Sequence, residues 1–183
     1  MENNKEYENW LEAVEVDGME LENVPEEFKT LELCELAVKQ DVSGYAMAYV
    51  PEELKTKEFC EMAVLNDSYN LEYVPEEFKT YDMCLEGVEN NGSSLEFVPI
   101  EMKTEELCFV AVKNNGHALK FVPEDLKSPE LCEMAVRDMG WALEFVPEEF
   151  ITQELCAIAV KRYGWALEFV PEELKTRELC EIA

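Results

Sequence analysis

The sequence predicts an all-α fold, a right-handed α-solenoid of 24-residue repeats in which each repeat is one long helix plus short helical turns. Three observations lead there. A stretch reading Val-Pro-Glu-Glu-(Phe/Leu)-Lys-Thr-x-Glu-Leu-Cys-x-x-Ala-Val recurs along the 183 residues. The seven cysteines, Cys34, Cys60, Cys84, Cys108, Cys132, Cys156 and Cys180, are separated by 26 residues once and by 24 residues five times, the spacing of a tandem array. Within a copy, pairs such as Leu33-Cys34 and Ala37-Val38 fall on one face of a helix.

The elements follow in chain order. Trp10, Ala13, Val14, Gly18, Leu21 and Val24 fit the repeat template with Trp10 in the cysteine slot, so residues 1–23 form a divergent N-terminal capping repeat of a single repeat domain, 1–183. Residues 24–183 hold six full repeats plus a partial C-terminal one. Two extra residues near Asp41-Val42-Ser43 lengthen the first full loop. Residues 146–169 give the clearest unit. Thr152 is placed as an N-cap, Glu154 in the first turn, and Leu155, Cys156, Ala159 and Val160 as the apolar stripe. Lys161 and Arg162 complement the helix C-terminal end and Gly164 stops it. The following Trp165-Ala-Leu-Glu-Phe-Val170 closes at Pro171, whose ring disfavours helical geometry at Val170. Pro171 then opens a new turn, with Glu172 and Glu173 at its amino end and Leu174 pointing inward. Leu-Glu-Phe-Val could instead supply the short strand of a leucine-rich horseshoe; the Thr caps, the Ala in the stripe and the three-turn spacing favour helices without a parallel sheet. The chain stops at Ile182-Ala183 inside what should be a long helix with no polar cap after it, so that helix either frays, packs on another molecule, a route to self-association, or reflects a longer parent array.

Composition sets further bounds. Fifteen Lys plus Arg against 42 Asp plus Glu give a formal charge of −27, which argues against direct nucleic-acid binding through phosphate neutralisation. Hydrophobic residues make up 48% of the chain at regular intervals, which argues for a folded array. No apolar run approaches the roughly 18 to 20 residues of a membrane span, and the start Met1-Glu-Asn-Asn-Lys5 lacks secretory-signal character. The expectation is a cytoplasmic protein with no membrane partner. The cysteines read as small buried hydrophobes: stacked helices lie about 8 to 10 Å apart, beyond the roughly 7 Å Cα separation a disulfide spans. There is no Cys-x-x-Cys, and the single histidine, His117, is nine residues from Cys108, so no metal site or cofactor is expected.

Other motifs have plain readings. Asn66-Asp67-Ser68 and Asn91-Gly92-Ser93 match glycosylation sequons without a secretory context. Asn91-Gly92 and Asn115-Gly116 look like hairpin turns but, following a helical stripe, read as helix C-caps. The Glu-Glu pairs that recur beside a proline in nearly every copy are helix-start residues, not an acid/base pair. His117 has no fixed acid partner in sequence, shares its slot with Trp141 and Trp165, and is expected at the surface. With no glycine-rich phosphate loop and no Ser-His-Asp order, no catalytic residues are assigned and the protein is not expected to be an enzyme.

The units Gly-Trp-Ala-Leu-Glu-Phe-Val-Pro-Glu-Glu at 140–149 and 164–173, continued by Lys-Thr-x-Glu-Leu-Cys at 175–180, resemble a bacterial tandem-repeat family classed as a domain of unknown function. The resemblance covers nearly the whole chain and implies a helical array without implying an activity. In period the chain also resembles leucine-rich-repeat variants built from alternating α and 3-10 helices. In size and charge it is similar to anti-CRISPR proteins, acidic inhibitors of RNA-guided nucleases.

Comparing copies separates stacking slots, which hardly vary, from two candidate recognition rows. The slot after the glycine carries Tyr69, Ser93, His117, Trp141 and Trp165, side chains that give contact area at low entropic cost or else cover the edge of the core. A second slot carries Glu22, Glu72, Glu96, Glu144 and Glu168, interrupted by Lys120, with further rows from the pairs at 26/27, 52/53, 76/77, 148/149 and 172/173. Stacking turns each slot into a stripe, and carboxylate stripes can imitate a phosphate backbone or simply keep the array soluble. The sequence therefore points to a non-enzymatic interaction protein. Its sharpest reading is an acidic inhibitor of a partner with a basic, nucleic-acid-binding surface, an RNA-guided nuclease being the first to test. The alternative is a scaffold that binds a protein or peptide through the aromatic row.

Overall fold

In the computed structural model, which describes residues 2–183 and side chains from Lys5 onward, eight α-helices alternate with fourteen short 3-10 helices and no strand occurs among the described residues. Met1, the first residue of the expected capping repeat, lies outside them. The α-helices are α1 Glu2–Val16, α2 Leu31–Gln40, α3 Lys57–Asn66, α4 Tyr81–Asn90, α5 Glu105–Asn114, α6 Pro129–Asp138, α7 Gln153–Arg162 and α8 Arg177–Ile182. This is an all-α repeat solenoid. Leu-Glu-Phe, the segment that could have been a horseshoe strand, is 3-10 helical in every full repeat that carries it. Two compact units divide the chain, residues 1–87 and 88–183, the division falling within α4.

Each repeat builds itself from the same few local rules. A Thr or Ser hydroxyl caps the α-helix, accepting the N–H three residues on: Thr30 from Leu33, Thr56 from Phe59, Thr104 from Leu107, Ser128 from Leu131 and Thr152 from Leu155, all at 3.2–3.3 Å. A cap of this type contributes about 1 kcal/mol. The helix then buries the predicted stripe; Leu107, Cys108, Ala111 and Val112 are fully buried, as are Cys132, Ala135 and Val136. After the helix one extended residue starts a six-residue 3-10 helix, such as Gly116–Phe121, and the proline before the acidic pair starts a three-residue one, such as Glu124–Leu126.

Within unit 1, α1 packs on α2 and α2 on α3, while the 3-10 helices Gly18–Asn23, Ala46–Tyr49 and Ser68–Tyr73 pack in the same succession. Within unit 2, α5, α6, α7 and α8 pack in order, and so do the 3-10 helices Gly92–Phe97, Gly116–Phe121, Gly140–Phe145 and Gly164–Phe169. The apolar stripes meet between these two layers. Fully burying one Leu contributes about 1.5–3 kcal/mol, so the leucine of each layer (Leu107 and Leu119 in one repeat, both 0% exposed) accounts for much of what holds consecutive repeats together.

The glycines correct the sequence reading. Asn115 is the C-cap of α5, its N–H donating to the Ala111 carbonyl at 2.9 Å, but none of Asn91-Gly92, Asn115-Gly116 and Gly164 is a left-handed cap: Asn91 and Asn115 are extended, with φ near −148°, and their carboxamides accept the N–H of Ser93 and His117 at 3.0 Å. Each thus begins the next 3-10 helix, and Gly44, at φ 76°, is the only described residue with positive φ. The glycine is needed for close approach instead. A Cβ on Gly92 would lie 2.2 Å from the carbonyl oxygen of Ala111, and one on Gly116 would lie 2.6 Å from that of Ala135. The same glycine N–H groups are held by the following α-helix: Gly92 donates to Asn114 Oδ1 and Gly116 to Asp138 Oδ2, both at 2.8 Å.

Candidate functional site

The six-residue segment that carries both candidate rows is 3-10 helical, so residues three apart eclipse one another. In Gly-Trp-Ala-Leu-Glu-Phe the glycine, alanine and leucine turn inward, as Gly140, Ala142 and Leu143 do. The second and fifth residues are left side by side on the outer face. Tyr69 pairs in this way with Glu72, Ser93 with Glu96, His117 with Lys120, Trp141 with Glu144 and Trp165 with Glu168. The aromatic row and the carboxylate row, read from sequence as two alternative surfaces, are therefore two halves of one face, present in unit 1 through Tyr69 and Glu72 and in unit 2 through the rest.

In unit 2 the rings of successive repeats touch. His117 and Trp141 have centroids 4.5 Å apart, His117 lies 5.6 Å from Phe121 and 5.7 Å from Phe145, and Trp141 lies 6.1 Å from Phe145 in an edge-on arrangement. His117 is accordingly not the exposed surface residue expected: it is half-buried, and its Nδ1 is buried with no hydrogen-bond partner. Burial, seconded by the Lys120 ammonium, holds its pKa below the ordinary histidine value against the opposing pull of Glu96 and Glu144. His117 and Trp141 thus cover the edge of the core. Trp165 does not. It is 57% exposed beside the exposed Tyr163, whose ring centroid is 6.1 Å away, and it packs edge-on to Phe169 at 6.2 Å. In unit 1 Tyr69 is exposed, and so is Tyr45, which occupies the same slot. Tyr45 lies 24 residues before Tyr69, so the aromatic row begins one copy earlier than the sequence reading placed it; the two-residue insertion at 42–43 precedes Tyr45 and alters only its spacing from Cys34.

The carboxylates fall into two electrostatic groups. In five repeats the glutamate that follows the proline is bound by the lysine three residues on: Lys29–Glu26 at 2.6 Å, Lys55–Glu52 at 2.5 Å, Lys79–Glu76 at 2.9 Å, Lys127–Glu124 at 2.5 Å and Lys175–Glu172 at 2.5 Å. Four of these lysine side chains, those of Lys29, Lys55, Lys79 and Lys127, are at most 7% exposed. The lysine slot carries inter-repeat structure that sequence reasoning missed: Lys103 and Lys127 also donate to the carbonyl oxygens of Phe121 and Phe145, one repeat on, at 3.0 and 2.9 Å. The glutamates of the outer face behave otherwise. Glu72, Glu96, Glu144 and Glu168 are all exposed and make no ion pair among the described residues, while burial, seconded by the neighbouring carboxylates of Glu22 and Glu72, raises the phenol pKa of Tyr49 and Tyr73.

The cysteines are inside, as expected, apart from Cys180. Burial pushes the thiols of Cys34, Cys60, Cys84, Cys108 and Cys132 up to about 11, far from the range of a reactive thiolate. Among the described residues no group of three or more His, Cys, Asp and Glu side chains is placed to hold a metal ion, and no helix is long and apolar enough to cross a membrane.

Comparison with curated proteins and with solved structures gives no match. A family described as Domain of unknown function (DUF4116) matches six overlapping segments, residues 7–55, 30–79, 56–103, 80–127, 104–151 and 128–175. Each match spans two consecutive repeats, the smallest stretch in which the reach of a lysine or a helix-end Asn into the neighbouring copy is complete. With residues 7–175 covered in this way, the chain belongs to the DUF4116 family.

Proposed function

We propose that the protein is a non-enzymatic interaction protein whose 3-10 face engages a partner with a basic, nucleic-acid-binding surface, as an anti-CRISPR-like inhibitor of an RNA-guided nuclease would. The observation that carries this reading is the division of the carboxylates. The repeat neutralises one row with its own buried lysines and leaves another, Glu96, Glu144 and Glu168 in unit 2 and Glu72 in unit 1, exposed and outside ion-pair contact with any cation among the described residues. A net charge of −27 is well beyond what solubility of a small domain asks for. Exposed like charges of this density attract a basic channel over a distance set by ionic strength, speeding association at low salt. Seven reduced thiols fit a cytoplasmic setting.

The exposed Trp165–Tyr163 pair favours a second reading, a scaffold that anchors a protein or peptide by its aromatic side chains. Cleavage of duplex DNA by a guide-loaded RNA-guided nuclease, assayed with increasing amounts of the protein at two salt concentrations, separates the two. Mimicry predicts inhibition that weakens as salt rises and is lost when Glu72, Glu96, Glu144 and Glu168 are replaced together by Gln. If the Gln variant inhibits as well as the parent at low salt, phosphate mimicry through this row is abandoned. A partner captured equally at both salts and lost on Trp165→Ala with Tyr163→Ala would establish the scaffold in its place.

A further inference from the structure

The lysine slot is broken once, and a cavity lies at the break. Two copies in unit 2 use the lysine as a bridge to the next repeat, Lys103 to the Phe121 carbonyl and Lys127 to the Phe145 carbonyl, and Lys127 is also held by Glu124 at 2.5 Å. In the following copy the lysine is replaced by Ile151. Its side chain cannot donate, so neither Glu148 nor the Phe169 carbonyl oxygen, the counterparts of Glu124 and the Phe145 carbonyl, receives the ammonium that the template supplies. At that place lies an open cavity of about 630 Å³, walled by Ile151, Phe169, Pro171 and Leu174 and rimmed by Glu144, Glu148 and Glu173. All three glutamates are exposed. An apolar floor that suits a methylene stem, with carboxylates at the rim, is the environment the array builds for its own buried lysines, whose stems are covered while the ammonium is paired.

We propose that this cavity is a receptor for a lysine side chain of a basic partner, the incoming ammonium taking the place of the missing internal one between Glu148 and the Phe169 carbonyl. Occupancy by lysine rather than by an apolar residue follows from charge complementarity with the three rim glutamates and from the Lys127 site, which shows the same acceptor pair filled. The volume falls within the roughly 300–1,000 Å³ of ordinary ligand sites, enough for the side chain and its flanking peptide backbone. This inference rests on the reading of the protein as a binder of basic surfaces and names one contact that such a surface would make.

The probe is N-acetyl-lysine N-methylamide, titrated into the full chain and followed by the amide shifts of Phe169 and Val170, with N-acetyl-norleucine N-methylamide as the uncharged counterpart. The expected result is saturable binding of the lysine probe, about tenfold weaker on Glu148→Gln, the scale of one charge-assisted hydrogen bond, and at least as much weaker for the norleucine probe. Ile151→Lys fills the site from within and abolishes binding, whereas Ile151→Leu retains it. Should Ile151→Lys fail to fold, the exposed-residue change Glu148→Gln carries the same comparison. Absence of saturation in the parent, or equal shifts in the parent and Glu148→Gln, overturns the proposal. If the probe fails while the four-fold Gln variant still loses nuclease inhibition, the cavity is refuted and the functional reading stands. If the probe binds as expected and that variant inhibits normally, the reverse holds.

Discussion

Replacing one glycine by alanine should have opposite effects at two positions five residues apart in sequence. At Gly92 the added methyl would sit 2.2 Å from the Ala111 carbonyl oxygen and 3.1 Å from both the Ala111 carbonyl carbon and Asn115 Cβ. Even favourable carbon–oxygen contacts keep about 3.3 Å, so α5 must withdraw by about 1 Å from the Gly92–Phe97 segment. That movement strains the 2.8 Å bond from the Gly92 N–H to Asn114 and loosens the packing of Leu95 and Leu107, both fully buried. Overpacking costs about 1–3 kcal/mol and a lost buried hydrogen bond about 1 kcal/mol, so Gly92→Ala should destabilise by about 2–4 kcal/mol. At Gly87, inside α4, the same methyl meets Leu71 Cδ2 at 3.5 Å and Val64 Cγ1 at 3.6 Å, ordinary contact distances. There the gain in helix propensity, about 1 kcal/mol, is unopposed, and Gly87→Ala should stabilise. Urea denaturation followed by far-ultraviolet circular dichroism reads both. Midpoints that shift in the same direction would refute the claim that the first glycine exists for close approach and the second does not.

Other outcomes follow from the same geometry. Cys108 and Cys132 should react with a thiol reagent only slowly in the native protein and rapidly in urea, while Cys180 labels at once; fast native labelling of the first two would show that the stripe is misassigned. Lys127→Met should cost about 1–2 kcal/mol, because it strips the Phe145 carbonyl of its donor while leaving an exposed Glu124 to water; a neutral effect in thermal melts would remove the lysine from the inter-repeat structure. The buried Asp41 tends upward in pKa through burial. The bonds it accepts from the Ser43 hydroxyl and the N–H groups of Ala46 and Ser43 outweigh this and hold it below the ordinary carboxylate value. A depressed folded pKa contributes stability above the unfolded pKa of about 3.9 and loses it as pH falls through the folded value, so the advantage of the parent over Asp41→Asn should be present at pH 7 and shrink below about pH 4. An advantage that grows on acidification would reverse the assignment.

The α-helical layer was legible because its signals are local and redundant: Thr152 before Glu154, then a stripe of four apolar residues, each fixing the next. The glycines misled because their role is long-range. Nothing within Asn115-Gly116 tells a left-handed cap from a backbone pressed against Ala135, nineteen residues on in the next helix. Lys127 was overlooked for a related reason, since a charged side chain reads as solvated until the paired Glu124 and the Phe145 carbonyl are in place around it. The union of the aromatic and carboxylate rows depended on whether Gly-Trp-Ala-Leu-Glu-Phe has three residues per turn or 3.6, a difference that composition does not resolve. The outer face was therefore visible residue by residue but not as one surface.

The contacts between copies also bear on how long such an array can be. Asn114 reaches back to the Gly92 N–H and the Glu89 carbonyl, and Asp138 holds the Gly116 N–H in the same geometry. The joint between neighbours is therefore largely generic: apart from Ile151 in the lysine slot and Arg162 in the Asn114/Asp138 slot, a copy meets its successor through residues that the other copies also carry. Removing or duplicating 24 residues within unit 2 would bring together two surfaces that already match, whereas a change of any other length would misalign every slot downstream. Repeat number is thus the quantity that replication slippage can vary without breaking a core, and each added copy lengthens the outer face by one aromatic or His/Ser position and one charge. Breadth of contact with a partner can be adjusted by counting repeats, and its chemistry by editing two residues in each.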